Sequence, residues 1–231
     1  MDIDDWMVMY GRIVKEFGFD PDADTESARY LDDMVRGNCD WTPLERTIRD
    51  SDVIVAGAAL GSEVPTDGTI IAADGATTAL LELGIVPDVI VTDLDGNIDD
   101  QISCSSKGTI MVVHAHGDNI LALKAWVPRF GGPVCGTTQV RPFGAVRNFG
   151  GFTDGDRAVM MADELGASSV RLAGFRFDRL GRHSCHRDPA VKMAKLRWAE
   201  KIISSAGVAV EYLPCGDQFI KNPVSGSPRH P

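Results

Sequence analysis

Two hydrophobic periodicities divide the chain. In residues 1–50, Trp6, Met9, Tyr10, Ile13, Val14 and Phe17 recur at three- and four-residue intervals, which predicts one face of a helix. A break at Gly18-Phe19-Asp20-Pro21 separates it from a second amphipathic helix marked by Ala28, Leu31, Met34 and Val35. Thr42-Pro43 reads as a helix start, with Thr42 as cap and proline in the first turn. From residue 51 the pattern becomes short continuous apolar runs: 53–57, 69–73, 88–92, 109–113, 169–174 and 208–212. Helix-like stretches lie between them at 75–84, 117–127, 155–166 and 188–206. β-Branched runs alternating with helices predict a mostly parallel, Rossmann-like α/β sheet covered on both faces. The expected organisation is an N-terminal helical segment (1–50), an α/β catalytic domain (51–215) and a frayed C-terminal tail (216–231).

Composition narrows the function. The 231 residues are 44% hydrophobic and 24% charged, an ordinary globular balance. A formal charge of −10 argues against a duplex nucleic-acid partner. It leaves room for a phosphate substrate bridged by a divalent cation. No apolar run approaches the roughly 20 residues needed to span a bilayer, so no membrane partner is expected. The N-terminus carries acids where a secretory signal carries basic residues, so no signal peptide is expected. Cys39, Cys104, Cys135, Cys185 and Cys215 are scattered and odd in number, which fits a reducing cytoplasm better than a disulfide framework. The N-terminal helices are a candidate surface for a homodimer.

Ligands of open parallel sheets bind at the carboxyl ends of the strands. The residues that directly follow the apolar runs are therefore the candidates: Gly57, Asp74-Gly75, Asp93-Leu94-Asp95-Gly96, the HAHGDN stretch (114–119) and Gly174. Asp93 and Asp95, one residue apart on a strand-end turn, can both reach one magnesium, which takes hard oxygen ligands and keeps several waters. Two turn aspartates are the plainer reading. Asp118 is a candidate third carboxylate, against a helix-cap alternative, and His116 a phosphate or substrate contact. His114 and His116 lack an evident third and fourth zinc ligand, and the HSCH stretch at 183–186 has no strong zinc spacing. In GGFTDGDRA (150–158), Thr153, Asp154, Asp156 and Arg157 stand at a helix start suited to an anion, while either acid is equally a cap. Polar, flexible loops are expected at 131–133 and 136–139. Lys192 and Lys195 share a helix face at i,i+3, with a phosphate contact from Lys192 set against a solvated surface. Neither a P-loop, a strand-borne GxGxxG nor a GxSxG elbow occurs.

The stretch AADGATTALLELGIVPDVIVTDLDG (72–96) resembles the core of thiamin pyrophosphokinases. HAHGDN (114–119), GFTDGDRA (151–158) and LAGFRFD (172–178) look more like the archaeal 6-hydroxymethyl-7,8-dihydropterin pyrophosphokinase family, which also carries an N-terminal helical segment. Thr92 and Gly96 depart from the glycine and serine that thiamin pyrophosphokinases usually show there. The resemblance implies an enzyme that transfers diphosphate from ATP to the pterin hydroxymethyl oxygen and releases AMP. It implies Mg2+ on Asp93, Asp95 and Asp118. It also places Asp74 at the nucleotide or acceptor pocket, and Thr153, Asp154 and Asp156 near the acceptor or a second metal. Gly75, His116, Asn119 and Arg157 are further candidate nucleotide contacts at the same rim. Phe149, Phe152 and Phe175 are candidates for a flat pterin slot. Three other readings stay open: thiamin pyrophosphokinase, a glycosyltransferase-like domain gripping a sugar nucleotide, and a non-catalytic nucleotide-binding module.

Overall fold

A computed structural model describes residues 1–37, 39–178 and 189–214. The HSCH stretch, Cys215 and the tail at 216–231 lie outside the described residues.

The N-terminal periodicity becomes two helices, α1 (Ile3–Phe17) and α2 (Pro21–Val35). Asp2 and Asp20 cap them, each accepting a backbone N–H two residues on, and Gly18 ends the first in a left-handed conformation. Helix α3 (Thr42–Ile48) starts where Pro43 predicts, but the cap differs. Asp40, not Thr42, supplies the side chain, accepting the Thr42 N–H at 2.9 Å.

Among the described residues, seven strands form one sheet: β1 (Asp52–Ala56), β2 (Thr69–Ala73), β3 (Val89–Thr92), β4 (Ile110–Ala115), β5 (Val134–Thr138), β6 (Ser169–Ala173) and β7 (Val210–Tyr212). Their order is β5-β4-β3-β2-β1-β6-β7, and every neighbouring pair is parallel. The connecting helices are α4 (Ala76–Glu82), α5 (Ile98–Ser106), α6 (Ile120–Trp126), α7 (Asp154–Glu164) and α8 (Pro189–Ile203). Six strands coincide with the apolar runs. The seventh, β5, is an edge strand of sequence VCGTT that lies partly where a flexible polar loop was expected. Its short, glycine-interrupted sequence carries no continuous apolar signal, yet it is buried, because α2 presses Leu31 against Gly136.

Alternating strand residues feed two apolar layers. Ile54, Ala56, Ile90 and Met111 pack with Trp6, Tyr10, Ile13, Ala28, Leu31 and Val35 of α1 and α2. Val53, Val55, Val91 and Val112 pack on the opposite face with Leu44 and Ile48 of α3 and with Ala158, Val159 and Met161 of α7. Each fully buried aliphatic or aromatic side chain contributes about 1.5–3 kcal/mol, so the first two helices are held to the sheet by its own core. No helix among the described residues is long and apolar enough to cross a membrane.

The sheet runs from β1 through β2 to β5 in one direction and from β6 to β7 in the other. The direction of winding therefore reverses between β1 and β6. In open α/β sheets a reversal of this kind leaves a crevice at the carboxyl ends of the strands, where ligands bind.

Candidate active site

The turns that leave β2 and β3 are locked to each other. The Asp74 N–H donates to the Val91 carbonyl at 2.8 Å. Asp74 Oδ1 accepts from the Thr92 hydroxyl at 2.6 Å and from Gln101 Nε2 at 2.8 Å. Thr92 Oγ1 in turn accepts the Leu94 N–H at 2.8 Å. Both turns place a non-glycine residue in the left-handed region, Asp74 at φ 41° and Leu94 at φ 71°. Each such residue costs about 1–3 kcal/mol, a strain sustained by the hydrogen bonds just described. Gly96 completes the fit: a Cβ there would stand 2.4 Å from Asp74 Oδ2.

Together these turns bring ligand atoms of Asp74, Asp93 and Asp95 within 4.8 Å of one another. The carboxylates oppose one another's ionisation. Burial, then the charges of Asp93 and Asp95, raise Asp74 to about 7. Burial and Asp93 raise Asp95. Asp154 is pushed well above the usual carboxylate range, by burial first and then by Asp93 and Asp74. For Asp93, burial acts upward, but the hydrogen bond and charge of His116 overcome it and bring the group to about 2. Converging oxygen donors that repel one another suit a hard divalent cation such as Mg2+. A zinc site would call for nitrogen or sulfur ligands.

The loop after β4 approaches the same rim. His116 Nε2 lies 3.5 Å from Asp93 Oδ2, and its Nδ1 lies 2.7 Å from Asp118 Oδ1. The structure does not bring Asp118 into the three-carboxylate group. Its side chain is 83% exposed, and it reaches Asp93 only through the imidazole. Asn119 braces the loop: its Nδ2 donates to the carbonyls of Asp93 (3.0 Å) and His114 (2.8 Å), and its Oδ1 accepts the His116 N–H (3.1 Å). His114 is buried with Nδ1 3.2 Å from the Thr137 hydroxyl, and burial followed by the Arg157 charge keeps its pKa well below the usual imidazole value.

The GFTDGDRA segment divides its residues between two jobs. Thr153 caps α7, and Asp156 completes the cap. The Asp156 carboxylate accepts N–H groups from Phe152 (2.6 Å) and Thr153 (2.8 Å) and the Thr153 hydroxyl. Asp156 is fully buried, so its oxygens are committed to the helix start. Arg157 is also buried, with Nη1 donating to the Gly151 carbonyl at 3.0 Å. Asp154 and Gly155 instead line an open cleft, beside Asp74, Gly75, Asp93 and Asp95.

That cleft lies at the β1–β6 reversal. The Gly57 N–H donates to the Ala173 carbonyl at 2.8 Å, and the Ala59 N–H to the Gly174 carbonyl at 3.0 Å. A Cβ on Gly57 would meet Gly174 O at 2.8 Å, so the two turns close on each other as only glycine permits. The Phe175 ring rests against Gly57 and Gly155 and, with Phe152, gives the cleft an apolar wall. Phe149 packs on Trp41 in the opposite core layer, with ring centroids 5.6 Å apart, and is not in the slot. Lys192 and Lys195 of α8 face the cleft. Lys195 Nζ stands 5.4 Å from the Phe152 ring centroid.

The sequence alone does not point to the roles of Thr92 and Gln101 or to the contacts of Asp24 and Ser27 on α2. The signal available for the last two was polar residues in phase with the apolar stripe of α2, since residues 24, 27, 28, 31 and 35 share one buried face.

An all-parallel α/β protein with an acidic cluster at the mouth of its switch-point cleft is built to receive a small ligand at the strand ends. A family model described as 6-hydroxymethylpterin diphosphokinase MptE-like matches residues 44–179, and the chain belongs to that family. It is 43% identical over 219 residues to the 6-hydroxymethyl-7,8-dihydropterin pyrophosphokinase of Methanothermobacter thermautotrophicus, spanning 88% of this chain and 94% of that protein. It is 45% identical over 217 residues to the protein of the same name from Pyrococcus furiosus, covering 87% and 92%. The Methanocaldococcus jannaschii protein of that name is 36% identical over 231 residues, covering 88% and 95%. Among solved structures, the MAf glycosyltransferase from Magnetospirillum magneticum AMB-1 aligns with a TM-score of 0.47 at 14% identity, over 84% of this chain and 39% of that one. That likeness is too slight to bear on activity.

Proposed function

We propose that the protein transfers diphosphate from ATP to the hydroxymethyl group of 6-hydroxymethyl-7,8-dihydropterin, with Mg2+ held by Asp93 and Asp95 and backed by Asp74. The observation that carries this reading is the three-carboxylate group at the mouth of the switch-point cleft. The names of the three archaeal relatives support the choice of acceptor.

In the proposed reaction the pterin hydroxymethyl oxygen forms a bond to the β-phosphorus of ATP. The bond from that phosphorus to the α–β bridging oxygen breaks, the oxygen leaves with AMP, and the hydroxyl proton is released. Such a transfer depends on alignment and charge neutralisation more than on covalent help from the protein. Bound Mg2+ would supply that neutralisation on the polyphosphate. Lys192 and Lys195 of α8, which line the same cleft as the acids, are suited to hold phosphate oxygens outside the metal's reach. Phe175 and Phe152 offer the apolar surface that a flat heterocycle needs. Asp118 acts at one remove, by orienting the His116 imidazole against Asp93. Asp156 and Arg157 serve the fold of the α7 start in this scheme, and Asp154 faces the substrates.

The deciding assay incubates the purified protein with ATP, Mg2+ and the hydroxymethylpterin and measures AMP. The expected result is AMP formed in step with pterin diphosphate. AMP formed only with thiamin would make the protein a thiamin pyrophosphokinase, and consumption of a sugar nucleotide would make it a glycosyltransferase. Tight nucleotide binding without turnover would leave a binding module.

A further inference from the structure

We infer that α2 of the N-terminal segment is a positioning element of the active site, and that Asp24 is its principal positioning residue. The inference rests on the metal reading proposed above.

Asp24 is 3% exposed, and its carboxylate accepts hydrogen bonds from three separate segments. Oδ1 takes the Gly117 N–H at 2.7 Å. Oδ2 takes Gln139 Nε2 at 2.7 Å and the hydroxyl of Tyr10 on α1. One helical turn further on, Ser27 is fully buried and donates its hydroxyl to Asn119 Oδ1 at 3.1 Å. Gly117 and Asn119 belong to the loop that carries His116. A Cβ on Gly117 would stand 3.0 Å from Ala23 Cβ and 3.3 Å from Asp24 Oδ1, so this loop lies directly on α2.

The chain of contacts continues to the acids. With Oδ1 fixed by Ser27 and by the His116 N–H, the Asn119 amide must direct Nδ2 towards the Asp93 and His114 carbonyls. The Asp93 backbone and the imidazole beside its carboxylate are thereby set from one helix. Packing alone does not call for this chemistry. An apolar side chain would fill the site of Asp24 without the cost of burying a carboxyl group. Three acceptor contacts of fixed direction are suited to orientation. Partners that orient metal ligands typically govern metal affinity by about 10- to 100-fold.

The test compares Mn2+ binding, as a surrogate for Mg2+, by electron paramagnetic resonance titration in the full-length wild type and in Asp24→Asn, Ser27→Ala and Leu31→Ala. Leu31 is buried on the same helix without a hydrogen bond to the loop, so its variant reports destabilisation alone. Asp24→Asn is expected to weaken Mn2+ binding by about tenfold or more and Ser27→Ala by about threefold. Leu31→Ala should lower Tm while keeping wild-type affinity. Wild-type affinity in both polar variants, or equal weakening in Leu31→Ala, overturns the inference and leaves the metal reading standing. If Asp24→Asn does not fold, Ser27→Ala against Leu31→Ala decides it. A wild type that binds no Mn2+ overturns the metal reading and the inference with it.

Discussion

Thr92 donates its hydroxyl hydrogen to Asp74 Oδ1 at 2.6 Å, joining the ends of two adjacent parallel strands through their side chains. The same oxygen of Asp74 also accepts from Gln101, so two donors fix the carboxylate on one side while Oδ2 faces Gly96. Thiamin pyrophosphokinases usually carry glycine at the position of Thr92. Here the hydroxyl both holds Asp74 and accepts the Leu94 N–H within the turn that presents Asp93 and Asp95.

Removing either ligand charge should abolish the proposed chemistry and spare the fold. Asp93→Asn and Asp95→Asn are each expected to lower AMP formation by about 10³-fold or more, the scale lost with a group that stabilises transition-state charge. For Asp95→Asn, Tm without cation should hold or rise, since one repelling charge has gone. Activity near wild type in either variant would remove the metal assignment.

The acids also predict how stability depends on pH. Asp74 is raised to about 7 in the folded chain, above the roughly 3.9 of a free aspartate, so the folded state binds the extra proton. Its contribution is fully present below about 3.9 and is lost as pH rises through about 7. Asp95 and Asp154 shift in the same direction. Asp93 has the opposite sign: its contribution is present above about 3.9 and is lost as pH falls through about 2. Thermal melts should therefore show Mg2+ or Mn2+ raising Tm more at pH 8 than at pH 5. An equal shift at both values would contradict the cluster's electrostatics.

Asp154 and Asp156, two residues apart, should separate cleanly. Asp156→Asn loses acceptor contacts at the α7 start and is expected to cost about 1–3 kcal/mol, read as a lower Tm. Asp154→Asn replaces a carboxyl group that faces Asp93 and Asp74 in the cleft, so Tm should be kept while turnover falls. Paired melts and AMP assays check both.

Gly96→Ala probes the closest approach in the site. Its Cβ would arrive 2.4 Å from Asp74 Oδ2 and force that carboxylate to move. Turnover should fall by about 10²-fold, as ångström-scale misplacement does. Asp74 is buried and its hydrogen bonds to Thr92 and Gln101 would be disturbed, so Tm should fall as well.

Lys192→Gln tests the cation that α8 brings to the cleft. Loss of one charge-assisted phosphate contact should raise the KM for ATP by about tenfold or more, with a smaller effect on kcat. Unchanged steady-state constants would place Lys192 on the solvated surface of α8.

The strands that proved legible were those with continuous β-branched runs, because a sheet buried on both faces demands apolar residues at every position. β4, IMVVHA, is buried throughout. β5 and α5 carry no such signal for a shared reason: VCGTT and IDDQISCSS owe their places to neighbours rather than to pattern. At the site, Asp93 and Asp95 are legible from a strand-end turn, and Asp74 from its place directly after an apolar run. That Asp74 stands with that pair, and Asp118 behind an imidazole, depends on strand order and on the turns at Asp74 and Leu94, which spacing along the chain does not encode. The polar half of the α2 face, Asp24 and Ser27, carries no apolar periodicity and so leaves no such signal along the chain.

The partnership between α2 and the His116 loop bears on how the protein can be cut or fused. A shortened version beginning at Trp41 would keep all seven strands and the acids Asp74, Asp93 and Asp95, yet it would leave the Gly117 amide without its acceptor and bare the sheet face beneath Leu31. The two leading helices are foundations of the rim, and a tag joined ahead of them is safer than a cut that removes them.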